Sequence, residues 1–205
     1  AQPAVGKPKA WDYARAGNPT REALQQVLAS LEGGSKGLCF SSGLGATMTL
    51  LLTLKPGDHV LISDDVYGGT YRLLARVMDQ WGLAFDTVDM TDLVACRSVV
   101  RENTAIVWVE SPTNPFLKVV DIAAVADLAH KAGARCVVDN TFATPYLQRP
   151  LELGADVVLH SMTKYLGGHS DLIGGALVTS DEQLTERLSF LVNAARVIGP
   201  AVAGL

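Results

Sequence analysis

An α/β architecture built on a mostly parallel sheet is the fold class that this 205-residue sequence predicts. Three observations predict it. Short apolar runs alternate with amphipathic segments along nearly the whole chain, the pattern of repeated βα units. Within CVVD (136–139) and DVVLH (156–160) the apolar residues are consecutive, as in strands covered on both faces. A composition of 48% hydrophobic and 19% charged residues leaves room for a sizeable core and excludes a disordered, collagen-like or low-complexity chain.

The elements follow in order. Asn18-Pro19-Thr20 opens a helix, because Asn18 or Thr20 can cap it and proline suits a first helical position. Ala23, Leu24, Val27, Leu28 and Leu31 predict its apolar face, and Gly33-Gly34 ends it. A strand over 36–40 leads to a helix over 45–54, which Lys55-Pro56-Gly57-Asp58 stops. Then come strand HVLIS (59–63), a helix over 70–81, a strand over 83–88 and a helix over 91–101. Strand AIVWVE (105–110) precedes a helix over 121–133 capped by Asp121. A strand over 134–139, a short helix near 146–153, strands over 156–161 and 173–179 and a helix over 181–195 complete the pattern. No repeat of 20–50 residues appears, and no linker breaks the alternation.

Charge and cysteine usage narrow the function classes. A net charge of −4 and a pI near 5.5 give no basic footprint for nucleic acid or an anionic membrane. Cys39, Cys96 and Cys136 are widely spaced and each lies inside an apolar run. They read as buried free thiols in a reducing cytoplasm, not as a disulfide framework or a zinc site, and no metal is expected. The first eleven residues, AQPAVGKPKAW, lack the apolar core of a secretory signal. The longest uncharged stretch, residues 37–54, nearly reaches the ~20 residues of a spanning helix, but SSGLG in its middle reads as a turn.

Ligands of open α/β sheets bind beyond the carboxyl ends of the strands. Here the strand ends run into SSGLGA, DDVYGGTY, SPTNP, DNTFATP and MTKYLGGHSD, so polar and small residues from five segments converge on one rim. Ser42-Gly43-Leu44-Gly45 lies where a strand becomes a helix, and free backbone N–H groups with the helix dipole make such a turn an anion site. It has neither the lysine of a nucleotide P-loop nor the third glycine of a dinucleotide fingerprint. Ser161 and Thr163 add hydroxyls from another strand end, as if to hold one phosphate from two sides. Lys164 stands on the same rim, where burial is expected, and Asp139 closes the apolar run CVVD, where a carboxylate is costly without a cationic partner. Pyridoxal phosphate satisfies both, offering a ring nitrogen to the acid and an aldehyde to the amine. Tyr67, in a glycine-flanked loop, could stack on that ring.

The residues also carry a resemblance. YARAGNPT (13–20), SSGLGA, DDVYGGTYRL, ESPTNP, VDNTFATPYLQRPLELGAD and HSMTKYLGGHSD together resemble the Cys/Met-metabolism family of pyridoxal-phosphate enzymes. That family includes cystathionine γ-synthase, γ-lyase and β-lyase, O-acetylhomoserine sulfhydrylase and methionine γ-lyase. The resemblance runs from Trp11 onward and implies the fold-type-I, aminotransferase-like architecture. It implies Lys164 as the Schiff-base lysine, Asp139 as partner of the pyridine nitrogen, and Tyr67 as ring-stacking residue and acid/base near the leaving group. Asn114 would contact the phenolic oxygen of the ring. The backbone N–H groups of Gly43 and Leu44 and the hydroxyls of Ser161 and Thr163 would hold the phosphate. Tyr13 and Arg15 match residues that reach the phosphate of a neighbouring subunit.

Residues 1–20 would then be a segment crossing to the neighbour, and 21–205 the large cofactor domain. The small carboxyl-terminal domain of the family, with the arginine that binds the substrate carboxylate, has no counterpart before Leu205. The expected activity is γ-elimination or γ-replacement on cystathionine or an O-acylhomoserine, in a cytoplasmic homotetramer built from dimers with shared sites. Gly69 stands where methionine γ-lyases carry a cysteine, which leans away from that branch. The resemblance leaves β-lyase, sulfhydrylase and methionine γ-lyase open, and a non-enzymatic Rossmann-type nucleotide module is the expectation from another class.

Overall fold

The computed structural model describes residue 14 and residues 17–195. Among the described residues seven strands form one sheet: β1 (Lys36–Phe40), β2 (His59–Ser63), β3 (Ala84–Val88), β4 (Thr104–Glu110), β5 (Arg135–Asp139), β6 (Val157–Ser161) and β7 (Gly175–Thr179). Their order across the sheet is β1-β7-β6-β5-β4-β2-β3. Only β7 runs against its neighbours, pairing antiparallel with β1 and β6, so the mostly parallel expectation is borne out.

Strand period two divides the core. Val60, Ile62, Trp108, Val137 and Leu159 face α2 (Gly43–Leu51), α3 (Gly68–Arg76) and α7 (Glu182–Ala195). Leu61, Val107, Val109 and Val138 face α4 (Leu93–Val99) and α5 (Ile122–Lys131) on the other side. On that second face Val158 and Val178 meet Leu28 and Ala29 of α1 (Pro19–Glu32). A sheet with helices on both faces needs consecutive apolar residues in its strands, and that is how CVV and VVL read.

Several expected boundaries shift, three of them for reasons visible in the local structure. α2 starts at Gly43 instead of 45, because the Ser42 side chain accepts the Gly45 N–H at 3.0 Å and caps the helix earlier. The helix expected over 70–81 is α3 followed by a separate 3-10 turn, Met78–Trp81, with Val77 between them at a φ of −118°, far from the ideal helical value. The helix near 146–153 divides into α6 (Thr144–Leu147) and the 3-10 turn Pro150–Leu153, where proline has no N–H to continue a helix.

The buried face of α1 also differs. Arg21, Gln25, Leu28, Ala29 and Glu32 are buried, whereas Val27 and Leu31 are 54% and 41% exposed. Polar contacts outcompete the apolar stripe: Gln25 Oε1 accepts the Cys39 N–H, and Glu32 holds His160 and Asn140 behind the sheet. The displaced stripe instead lines an open groove with Met162, Leu166, Leu172 and Ile173.

Gly175 begins β7 between Phe40 and Ser161, directly beneath the turn that starts α2. A Cβ there would lie 2.1 Å from the Ser42 carbonyl oxygen and 2.7 Å from the Gly43 nitrogen, both backbone atoms that cannot swing aside. Gly175→Ala is therefore expected to cost about 1–3 kcal/mol, the range for overpacking. A lowered denaturant midpoint checks this, and an unchanged midpoint contradicts it.

Candidate active site

All parallel strands end on one rim, and there a cavity of about 280 Å³ opens over the face that carries α2. Its lining comes from all five segments anticipated from the sequence: Gly43 and Leu44 after β1, Tyr67 after β2, Asn114 after β4, Asp139 at the end of β5, and Ser161, Thr163 and Lys164 after β6. Tyr13 and Arg15 lie outside the described residues.

The anion-binding corner is built from the backbone. Helix α2 offers no internal partner to its first N–H groups, and Ser42 Oγ takes that of Gly45, so among the described residues those of Gly43 and Leu44 are open to a ligand. Gly43 lies so close to β6 that a Cβ on it would be 3.0 Å from Ser161 Cβ. That approach brings the amides and the Ser161 side chain to one corner. Thr163 lines the cavity as well, but its hydroxyl already accepts the Gly174 N–H at 3.2 Å. Met162, between the two hydroxyl residues, is buried in the α1 side of the core.

Asp139 is 8% exposed and accepts the Thr141 N–H at 3.1 Å. Burial pushes its carboxyl above the usual range, with the Thr141 bonds and His160 acting in the opposite sense. A cation presented from the cavity would relieve that cost. Lys164 does not meet the expectation of burial: it is exposed at the cavity mouth, because it sits in the turn after β6 and not in the strand. Tyr67 is exposed, its ring folded back over Gly69 so closely that a Cβ there would be 2.3 Å from Tyr67 Cε1. A side chain at 69 would displace the ring.

Behind the sheet, His160 Nε2 and Glu32 Oε1 are 2.5 Å apart, and Asn140 donates to the same oxygen at 2.9 Å. Gln148 closes this buried network by donating to Asn140 and to the Ser111 carbonyl. It fixes the ends of β5 and β6, and with them Asp139 and Ser161, relative to α1.

The sequence reading missed Glu110. It ends β4 opposite Asp139 in register, is 6% exposed and lines the cavity. Burial and the neighbouring Asp139 push its carboxyl up to about 8. The signal was present: AIVWVE is an apolar run closed by an acid, just as CVVD is.

A family model described as Cys/Met metabolism PLP-dependent enzyme matches residues 1–204. The chain belongs to that family. Among its relatives, the Cys/Met metabolism enzyme named "Probable cystathionine gamma-synthase" of Herpetosiphon aurantiacus is 56% identical over 201 residues, 98% of this chain and 63% of the relative. A cystathionine beta-lyase of Lactococcus lactis is 47% identical over 97% of this chain and 53% of its own. The crystal structure of metB from Corynebacterium glutamicum superposes with a TM-score of 0.95 at 49% identity, covering 99% of this chain and 53% of that one. The chain thus spans little more than half the length of these Cys/Met metabolism enzymes. Membership places the chain in a family of pyridoxal-phosphate enzymes and displaces the non-enzymatic Rossmann reading. The expected aminotransferase-like architecture is borne out by the same structural match.

Proposed function

We propose that this chain is the cofactor-binding large domain, over residues 21–205, of an enzyme acting at the γ-carbon of cystathionine or an O-acylhomoserine, of the cystathionine γ-synthase or γ-lyase type. The observation that carries it is the single cavity wall on which Lys164, Asp139, Tyr67 and the Gly43–Leu44 amides converge. The names of its relatives and the ring of Tyr67 over Gly69 support the same reading, the latter leaning away from the methionine γ-lyase branch.

The residues fit pyridoxal phosphate by the chemistry of their donors: amides and hydroxyls for an anion, a buried acid for a cation, an amine for a carbonyl. Bound there, the cofactor supplies a carbonyl that joins to an amine and a ring that accepts electrons from Cα. In this reading Gly43, Leu44, Ser161 and Thr163 hold the phosphate, and Asn114 orients the ring through its phenolic oxygen. Asp139 keeps a proton on the ring nitrogen. Lys164 would hold the cofactor's carbonyl carbon through its amine, and that amine would be the base for the Cα proton of the substrate. Tyr67 stacks on the ring and moves a proton near the γ-leaving group.

We infer that the whole enzyme is a homotetramer of dimers in which Tyr13 and Arg15, in the segment 1–20, reach the neighbouring subunit's phosphate; arginine suits phosphate because its planar fork binds bidentately. A cytoplasmic setting agrees with three buried free thiols, two of which burial pushes up to about 12. Among the described residues no helix is long and apolar enough to cross a membrane.

The test is product identity with the full-length holoenzyme. Given cystathionine, a γ-acting enzyme yields 2-oxobutanoate and cysteine; given an O-acylhomoserine and cysteine, it makes cystathionine. Pyruvate and homocysteine as the main products from cystathionine would move the assignment to β-lyase.

A further inference from the structure

Glu110 has no part in the roles described above, yet its side chain touches two of the segments that supply them. Its Oε2 accepts the Tyr67 N–H at 2.8 Å, and its carboxyl stands close enough to the Asn114 N–H for that group to favour the ionised form. Tyr67 is the N-cap of α3 and makes no side-chain cap bond, and this tertiary carboxyl takes its N–H, the contact that the N3 acid makes in a capping box. Asn114 lies in the turn after β4, and Tyr67 in the turn after β2. One side chain therefore ties together two turns from different strands, and it does so next to Asp139 on the same cavity wall.

We propose that Glu110 is a positioning residue of the cofactor site, whose carboxyl fixes the Tyr67 and Asn114 turns in register with the Asp139 strand end. The proposal rests on the pyridoxal-phosphate reading. Sheet integrity does not need this contact, because β4 is held by its ladders to β2 and β5. Nor does the 111–116 turn depend on Glu110 alone. Asp65 Oδ2 accepts the Phe116 N–H at 2.9 Å and the Thr113 hydroxyl, pinning the turn at its far end. What Glu110 adds is placement of the two residues that would meet the cofactor ring from different sides. A carboxyl is also an expensive choice for that position. It is buried beside Asp139 and also feels the negative charge of Asp65, so a purely structural anchor would be better served by a neutral side chain. The reach of the side chain and its paired acceptor oxygens explain the carboxyl: one oxygen takes the Tyr67 N–H while the carboxyl also faces the Asn114 N–H.

The experiment compares Glu110→Gln, Glu110→Asp and Glu110→Ala in the full-length holoenzyme. It reads the pyridoxal-phosphate dissociation constant, the visible circular dichroism of the bound cofactor, and kcat and KM separately. Losing the acceptor of the Tyr67 N–H and the carboxyl beside the Asn114 turn is expected to loosen the cofactor about tenfold or more in the Ala variant. Its visible dichroism should fall as the ring loses fixed neighbours, with kcat reduced more than KM. Gln has the same length and keeps one acceptor oxygen, so it should lie between wild type and Ala. Asp keeps the carboxyl but is one methylene short, and it should resemble Ala. If the Ala variant does not fold, the order of Gln and Asp decides alone. Wild-type cofactor affinity and dichroism in all three variants would overturn the proposal, and so would recovery by Asp but not Gln. A wild-type enzyme without a borohydride-reducible chromophore would instead remove the underlying cofactor reading, and the proposal with it.

Discussion

Lys164→Ala is expected to give a folded protein with no borohydride-reducible chromophore and turnover lowered by at least ~10³-fold, from loss of both the covalent amine and the general base. The fold should survive because Lys164 is exposed in the turn after β6, outside the core clusters. A substitution in such a place usually changes stability by no more than about 0.5 kcal/mol. Melting temperature and activity should therefore separate cleanly, the first nearly unchanged and the second lost. The direct measurement is borohydride reduction of the wild-type enzyme followed by peptide mass analysis. The pyridoxyl label is expected on Lys164. A label on another lysine, or a reducible chromophore that survives in the variant, would refute the assignment.

How much of this was legible follows from what each signal depends on. The strands were readable because burial on both faces forces consecutive apolar residues, and all but the edge strand β3, AFDTV, fall where such runs stand. The rim was readable because parallel strands must all end on one side, so Gly43, Tyr67, Asn114, Asp139 and Lys164 could be placed together without knowing the strand order. Glu110 was overlooked although the argument applied to Asp139 covers it equally. Period two also puts Glu110 on the same face as Trp108, and Asp139 on that of Val137, so the two carboxyls had to be neighbours once their strands paired. The α1 face was misread for a different reason. Its partners Cys39, Asn140 and His160 lie far along the chain, and helical periodicity carries no trace of a buried polar contact. The exposure of Lys164 likewise depends on where the 162–168 turn leaves the sheet, which a one-dimensional pattern does not give.

Asp139→Asn is expected to move stability and activity in opposite directions. Asparagine has the same shape, and its carbonyl oxygen can still accept the Thr141 N–H that Asp139 holds at 3.1 Å. What it removes is a negative charge that burial disfavours and that stands opposite Glu110. The folded-state pKa of Asp139 lies above its unfolded value of 3.8, so the stability linked to its proton is fully present below that value and is lost as pH rises through the folded one. Asparagine does not titrate. Without cofactor, the variant should therefore match wild type near pH 4 and become progressively more stable than it as the pH rises. Relief of Glu110 follows as well, because one cause of its upward displacement is the charge of Asp139. With cofactor the sign reverses. A neutral amide cannot hold a proton on the ring nitrogen, and the ring then accepts electrons poorly. Turnover is expected to fall ~10²–10⁴-fold, the range for losing a charge-stabilising or proton-holding group, while the borohydride-reducible chromophore on Lys164 persists. Denaturant melts of the cofactor-free proteins between pH 4 and 8, set beside turnover of the loaded enzymes, test both halves. Comparable turnover would remove Asp139 from the electron-accepting role. A stability difference that does not grow with pH would mean that the carboxylate is already satisfied within the chain, and that the cavity has no need of a cation there.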